Sequence, residues 1–365
     1  MLIILLILAL LIIAVFVFLH LPRFGKLPSG TRLERIKRSN NYRGGQFQNL
    51  SETPMMTAKG GMIPVLKQFL FDKKPRVKPV DLIPSMKTNL LNLDPAKDLL
   101  LWFGHSSYFI QVDGKKILVD PVFSGAASPV SFNVKAFKGT DIYTTEDIPP
   151  IDFLFISHDH WDHLDYKTMI KLKPKIKRII CALGVGEHLV RWGFDTDIIN
   201  ELDWNEEINL GEGFVVNALS ARHFAGRGFV RNKSIWTSFV LQTPTMKLFI
   251  GGDSGYDTHF ANIGKRFGPF DLAILENGQY NENWKYIHMM PGETLQAAKD
   301  LKAKRLLPVH NSKFPLSVHP WDEPLRRITE LNKNANLNLA TPMIGEELRL
   351  KDNAQQFSKW WEGVE

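Results

Sequence analysis

Nine consecutive residues, Ser157-His158-Asp159-His160-Trp161-Asp162-His163-Leu164-Asp165, place three histidines and three aspartates directly after the apolar run 151–156. A buried strand that ends in so many imidazoles and carboxylates makes a poor core, because desolvating unpaired polar groups is costly. Imidazole and carboxylate are the ligands that a borderline divalent cation such as zinc accepts. His158 and His160 alternate along an extended segment and point to one site, while Asp162 and His163 on the following turn face a second. The spacing therefore predicts two ions rather than one.

Three later runs repeat the same grammar, a strand that ends in a coordinating residue. Residues 215–220 lead to His223, 248–252 to Asp253 and 306–309 to His310. Taken singly, His223 or His310 reads as a capped or surface histidine. As a series following the cluster, they read as ligands. The glycines before Asp253 allow close backbone approach, which suits a carboxylate bridging two cations.

A chain of 365 residues with 44% hydrophobic and 23% charged side chains is globular, with room for one large domain or two small ones. The single cysteine, Cys181, excludes an internal disulfide framework. It lies in the apolar run 179–183 and reads as a buried strand residue, not a nucleophile or ligand. The net charge of +7 is unevenly placed: residues 20–90 hold 14 Lys or Arg against 4 Asp or Glu, leaving the remainder near −3. A nucleic-acid enzyme carries its excess near the site, so no nucleic-acid partner is expected and an RNA-processing role is disfavoured.

Residues 1–19 contain no charged side chain. As a helix at ~1.5 Å per residue they match the hydrocarbon thickness of a bilayer. The competing reading, a cleaved signal peptide, calls for a basic leader, a shorter apolar core and a small-residue cleavage site, none of which is evident. Arg23, Lys26, Arg32, Arg35, Lys37 and Arg38 follow the span, which places the body on the cytoplasmic face by the positive-inside tendency. The basic arm either touches anionic headgroups or serves only as this topology signal. The expected organisation is an anchor over 1–21, a basic linker or wrapping arm over 22–92 with short apolar pieces such as 63–66, and a catalytic body over 93–365.

Within the body, strands are expected at 99–103, 108–112 and 116–119, the last two joined by the hairpin signal Asp113-Gly114. Helix-like and strand-like segments then alternate: a basic stretch at 167–178, strands at 179–183, 214–219, 235–242, 246–250 and 305–309, and helices at 185–192 and 291–301. Hairpins followed by interleaved helices fit a layered α/β body with mixed sheets.

The series His158, His160, Asp162, His163, His223, Asp253 and His310 resembles the metallo-β-lactamase superfamily, an αββα sandwich with its metals at one edge. The resemblance implies that His158, His160 and His223 hold one zinc, that Asp162, His163 and His310 hold the other, and that Asp253 bridges them; iron or manganese would use the same ligands. The β-lactamases proper place a cysteine in the second site. Cys181 is not at a matching position, which disfavours lactam hydrolysis.

The flanks, among them 103–107, 120–124, 201–204, 252–256 and the stretch Gly264-Lys265-Arg266-Phe267-Gly268-Pro269-Phe270-Asp271-Leu272, are similar to the phospholipases D that hydrolyse N-acyl-phosphatidylethanolamine and their bacterial relatives. That similarity runs over about residues 95–345. It implies phosphodiester hydrolysis by water activated between two cations, with Asp162 and Asp253 in catalytic positions and His288 binding the phosphate or protonating the leaving oxygen. The sequence departs from the family at 284–288, which is shorter, and at Asn311-Ser312 after His310.

Asp120 and Asp165 are candidates either to orient ligand imidazoles or to cap turns and helices, and His105 reads as a structural strand-edge residue. Trp161, Phe224, Trp236, Tyr280 and Trp284 are candidates to line an acyl channel. A phospholipid substrate reached at a membrane surface is the leading reading. A lactone, sulfate-ester or cyclic-nucleotide hydrolase of the same superfamily, and a non-catalytic membrane-tethered metal-binding scaffold, are the alternatives; a homodimer stays open.

Overall fold

The computed structural model describes residues 1–57, 67 and 75–365. The apolar piece 63–66 lies outside the described residues. The first element, α1 (Leu2–Leu19), is long and apolar enough to cross a membrane, and none of it is buried. A short helix, α2 (Gly30–Lys37), and a two-stranded hairpin, β1 (Tyr42–Arg43) with β2 (Gln46–Phe47), follow it.

Two mixed sheets form the body. The seven-stranded sheet contains β3 (Leu99–Trp102), β4 (Tyr108–Val112), β5 (Lys115–Val119), β6 (Ile151–Ile156), β7 (Ile176–Ala182), β8 (Ile199–Leu202) and β15 (Glu347–Arg349), in the order β15-β3-β4-β5-β6-β7-β8. The six-stranded sheet contains β9 (Glu207–Gly211), β10 (Phe214–Ser220), β11 (Thr237–Gln242), β12 (Lys247–Ile250), β13 (Leu272–Glu276) and β14 (Leu306–Val309), in the order β14-β13-β12-β11-β10-β9. The turn between β4 and β5 has positive φ at both Asp113 (47°) and Gly114 (75°), as the twist of a two-residue hairpin requires.

The period-2 alternation of each strand assigns its side chains to two layers. Leu100, Trp102, Ile110, Ile117, Phe153 and Phe155 face the six-stranded sheet and meet Val216, Phe239, Leu241, Leu248 and Ile274 in a shared core. Their neighbours Leu101, Phe109, Leu118, Leu154 and Ile179 face the other way. That outer face is covered by Ile36 of α2, by Met169 and Leu172 of α3 (Tyr166–Leu172) and by Leu189 of α4 (Gly186–Arg191). Phe249, Ala273 and Leu275 are likewise covered by α5 (His259–Arg266), α6 (Pro291–Asp300) and α7 (Glu323–Ala335). The result is an αββα sandwich.

Strand direction positions the site. β5, β6 and β7 run parallel, as do β12, β13 and β14. β10 and β12 both pair antiparallel with β11 and so share a direction. The C-terminal ends of these strands deliver Asp120, His158, His223, Asp253, Glu276 and His310 to one edge.

Between α1 and the sandwich, residues 22–47 lie against the body. Ile36 and Phe47 are fully buried in its helix-side core. Arg32 pairs with Glu187 and Glu201 at 2.5 Å each, Lys26 with Glu187 at 2.7 Å and Arg35 with Glu206 at 2.6 Å. Three of the arm's cations, Lys26, Arg32 and Arg35, are therefore matched by carboxylates of the body.

Candidate metal centre

His158, His160, His223 and Asp253 bring one ligand atom each to within 4.8 Å of one another, and so do His105, Asp162, His163 and His310. In the first group His160 Nδ1 lies 2.8 Å from His158 Nε2 and 3.2 Å from His223 Nε2. Asp253 Oδ2 is 3.9 Å from His158 Nε2 and 3.7 Å from His223 Nε2. The same carboxylate reaches the second group, with Oδ2 3.2 Å from His163 Nε2 and Oδ1 3.1 Å from His310 Nδ1. Asp162 Oδ2 stands 3.6 Å from His163 Nε2. Asp253 thus lies between the two groups, within 4 Å of ring nitrogens of both.

These residues fit divalent cations. Ligand bonds of ~2.0–2.1 Å in tetrahedral geometry set neighbouring ligand atoms about 3.4 Å apart, inside the observed spread of 2.8 to 3.9 Å. His163 Nε2 is buried with no hydrogen-bond partner among the described residues. His160 Nδ1 faces two imidazole nitrogens at once, and one proton serves both contacts poorly; a cation at their centre accepts all three lone pairs.

Electrostatics favour the same reading. Burial pushes His158, His223 and His310 well below the ordinary imidazole value and His160 down to about 4, so these rings present lone pairs at neutral pH. Burial alone would raise Asp253 and Asp162, but the surrounding imidazoles together outweigh it, His163 and His310 at both, with His223 at Asp253 and His105 at Asp162, and both stay ionised. His163 is the exception among the rings. Burial would lower it, yet Asp253, Asp162 and Asp120 hold it well above its usual value, so loading a cation there releases a proton.

A surrounding set of hydrogen bonds fixes the ligands. Asp120 accepts from His163 Nδ1 at 2.8 Å and from Ser157 N and Oγ at 2.9 and 2.6 Å. His223 Nδ1 donates to the Ile287 carbonyl at 2.8 Å, and Ser106 Oγ lies 2.8 Å from His310 Nδ1. His105 does more than edge a strand: its fully buried ring holds Asp162 Oδ2 at 2.8 Å. Its carbonyl accepts from Trp102 Nε1 and from the His310 amide, and its φ of +54° follows Gly104 at +81°. Asp165 instead caps α3, accepting from Lys167 N, Thr168 Oγ1 and the more distant Ser124 N. Asp159 turns away from the ligands to bind Gly226 N, Ser234 Oγ and His188.

Removing an orienting partner of a metal ligand typically costs 10–100-fold in affinity or activity. Asp120→Ala and His105→Ala are each expected to lower metal affinity by about that factor, read by competition with a chromophoric chelator. Wild-type affinity in both variants would show these contacts to be incidental.

Glu276 escapes sequence inspection. It is completely buried at the end of β13, accepts from His288 Nδ1 at 2.5 Å and accepts from Met289 N at 2.6 Å. Burial pushes its carboxyl up to about 7. Burial would lower His288, but Glu276 more than offsets this and raises it, so the pair retains a proton at neutral pH. The bond uses Nδ1 and leaves Nε2 as the ring nitrogen available to a substrate.

His288 borders a cavity of about 300 Å³ that opens on both ligand groups and is lined on its apolar side by Met55, Met56, Phe224, Trp284, Ile287 and Leu316. Of the five aromatics considered for an acyl channel, Phe224 and Trp284 line this space. Trp236 is buried against Asn49 and Ala221, Tyr280 bonds Glu323, and Trp161 packs on Phe24.

Residues 115–311 match the Beta-lactamase superfamily domain. The chain belongs to the metallo-β-lactamase superfamily. It is a metallo-β-lactamase-fold hydrolase, and apart from His105 the members of its two ligand groups lie within the matched span. An uncharacterized Mycobacterium tuberculosis protein, Rv0906, is 35% identical over 329 residues, covering 89% of this chain and 88% of the relative. The N-acyl-phosphatidylethanolamine-hydrolyzing phospholipase D 1 of Caenorhabditis elegans is 31% identical over 245 residues, covering 63% of this chain and 68% of the relative. Among solved structures, the metallo hydrolase Igni18 of Ignicoccus hospitalis shares the fold with a TM-score of 0.53 at 20% identity, covering 69% of this chain and 98% of that one.

Proposed function

We propose that this superfamily member is a membrane-anchored, zinc-dependent phosphodiesterase that cleaves N-acyl-phosphatidylethanolamine-type glycerophospholipids on the headgroup side of phosphorus. The observation that carries the reading is the cavity. It joins an apolar wall of two methionines, two aromatics, an isoleucine and a leucine to both ligand groups and to His288, as a substrate with acyl chains beside a phosphodiester demands. The similarity to the nematode phospholipase D supports the same substrate class.

The two clusters could each hold a divalent cation, which when bound would supply Lewis acidity toward the phosphoryl oxygens and lower the pKa of the attacking water. The chain's own residues do the rest. Asp253 fixes the separation of the two groups, and Asp162, held by His105, offers a carboxylate where a water proton can be accepted. His288, charged and steadied by Glu276, stands ready to bind the phosphate or to protonate the departing alkoxide through Nε2. The apolar wall holds the acyl chains and keeps bulk water out. The helix α1, read as a retained span, keeps the enzyme beside its substrate.

Incubating the metal-loaded protein with a phospholipid mixture in H2¹⁸O, followed by mass spectrometry, tests this directly. Water attack at phosphorus, with the P–O bond to the ethanolamine oxygen breaking, places ¹⁸O in phosphatidic acid and none in the released N-acylethanolamine. No change in any lipid, with turnover confined to water-soluble esters, would sink the proposal.

A further inference from the structure

The chain leaves α1 beside two loops that expose large apolar side chains: Phe132 is 78% exposed, Phe229 86% and Val230 47%. Single exposed apolar residues are common on protein surfaces, so their location decides what they mean. Both loops are tied to one residue at the foot of the helix. Arg23 donates from Nη1 to the Pro129 carbonyl at 2.5 Å, and its own carbonyl accepts from Arg227 Nε and Nη2 at 3.1 and 2.9 Å. The preceding Pro22 carbonyl accepts from Trp192 Nε1 at 2.7 Å. Phe24 packs edge-on against Phe18 of the last helical turn at 5.2 Å and against Trp161 at 5.1 Å.

The exit of the helix is thus fixed to the body by several contacts within three residues. A span of 18 residues reaches about 27 Å, close to the hydrocarbon thickness, so residues 22–24 come to lie at headgroup level. The loops bound to them lie there too. Arg231, next to Val230, is exposed and also borders the cavity with Phe224. An exposed arginine such as Arg231 beside Phe229 and Val230 suits contact with anionic headgroups.

We propose that the loops carrying Phe132 and Phe229-Val230 insert into the same bilayer that holds α1, and that this contact turns the cavity mouth onto the lipid surface. The inference rests on reading α1 as a retained span. The occupant of this face is lipid rather than a second copy of the chain, because both loops are tied through Arg23 to the foot of a helix that is long and apolar enough to span a bilayer and has no buried residue.

Phe132→Cys and Phe229→Cys in the full chain, labelled with an environment-sensitive fluorophore, provide the test. Cys181 is buried and does not compete for label. In phosphatidylcholine–phosphatidylglycerol nanodiscs both labels are expected to shift to the blue and to lose emission when doxyl-labelled lipid is included. A label at Lys177→Cys, exposed at the start of β7 and so at the opposite edge of the sheet, is expected to do neither. Protein that incorporates while both loop labels stay in water overturns the insertion and leaves the anchor reading standing. A blue shift with no quenching by lipid points to contact with protein and also overturns it. Failure to enter nanodiscs at all removes the anchor reading, and the insertion with it.

Discussion

Asp253→Asn is expected to lower turnover by on the order of 10³-fold, about 4 kcal/mol of transition-state stabilisation, while metal content falls from two ions per chain toward one. The reason is the position of the carboxylate, whose two oxygens approach His163 and His223 on one side and His310 on the other. Asparagine keeps one oxygen and replaces the other with an amide nitrogen that has donors and no lone pair. Oδ2 faces both clusters and Oδ1 faces His310, so whichever oxygen is replaced, at least one cluster meets a group it cannot use. Metal analysis of purified protein and initial rates on N-acyl-phosphatidylethanolamine read the two effects together, with circular dichroism checking that the fold survives. A variant with full metal content and a near-native rate would remove Asp253 from its bridging role.

The second large effect is expected on stability. Arg227 is 4% exposed and its guanidinium donates to three carbonyls, those of Asp159 and Leu164 at 2.9 and 2.6 Å and that of Arg23 through two nitrogens. The guanidinium also lies 3.9 Å from the centre of the Trp161 ring. Burial pulls its pKa down to about 10, still far above neutrality, with Asp159, Asp165 and Asp162 keeping it charged. Arg227→Ala leaves those carbonyls buried without donors, and breaking such a buried charged contact costs about 3–5 kcal/mol. Arg227→Lys is expected to recover only part of this, since a point charge cannot span carbonyls that the planar fork reaches together. Denaturation midpoints of the detergent-solubilised variants against wild type provide the measurement. Unchanged midpoints would show that the loop 158–165 is held without this residue.

Much of the layered fold was legible because its strands are short apolar runs with clean ends. The strand at 151–156 and the β4–β5 hairpin emerge within a residue of their expected bounds, since alternation and a two-residue turn leave little freedom. β7 begins three residues earlier than expected and the preceding helix stops at Leu172, because Pro174 ends the helical pattern and frees Ile176 to join the sheet. The buried inner strand β13 drew no expectation. Nor did the helices α5 and α7 and the edge strands β8, β9 and β15. Their mixed polar composition reflects one-sided burial, which becomes visible only when the covering layer is known.

The ligand series was readable for a related reason. Each member directly follows a strand, and strand ends are local signals. Glu276 was hidden inside the apolar run of β13, and its partner lies twelve residues away on an irregular segment. His105 gave no hint because Asp162 is 57 positions later. The arm's charge was visible as an excess, but the carboxylates that neutralise Arg32 stand more than 150 residues along the chain. Pairings set by tertiary contact leave no mark at either residue alone.

Trp161 sits between the candidate ligands His160 and Asp162 in sequence, and its ring is packed by Phe24 on one side and Arg227 on another. The residues at the exit of α1 therefore pack directly against the loop that carries the candidate ligands. The apolar helix and the catalytic body are not separable modules joined by a tether. Trimming the chain back to the first strand of the sandwich would strip away Phe24 and the Arg23 carbonyl and leave Arg227 and Trp161 facing solvent. A soluble version that keeps its catalytic edge intact has to begin at about Leu21, just ahead of the residues that clasp it.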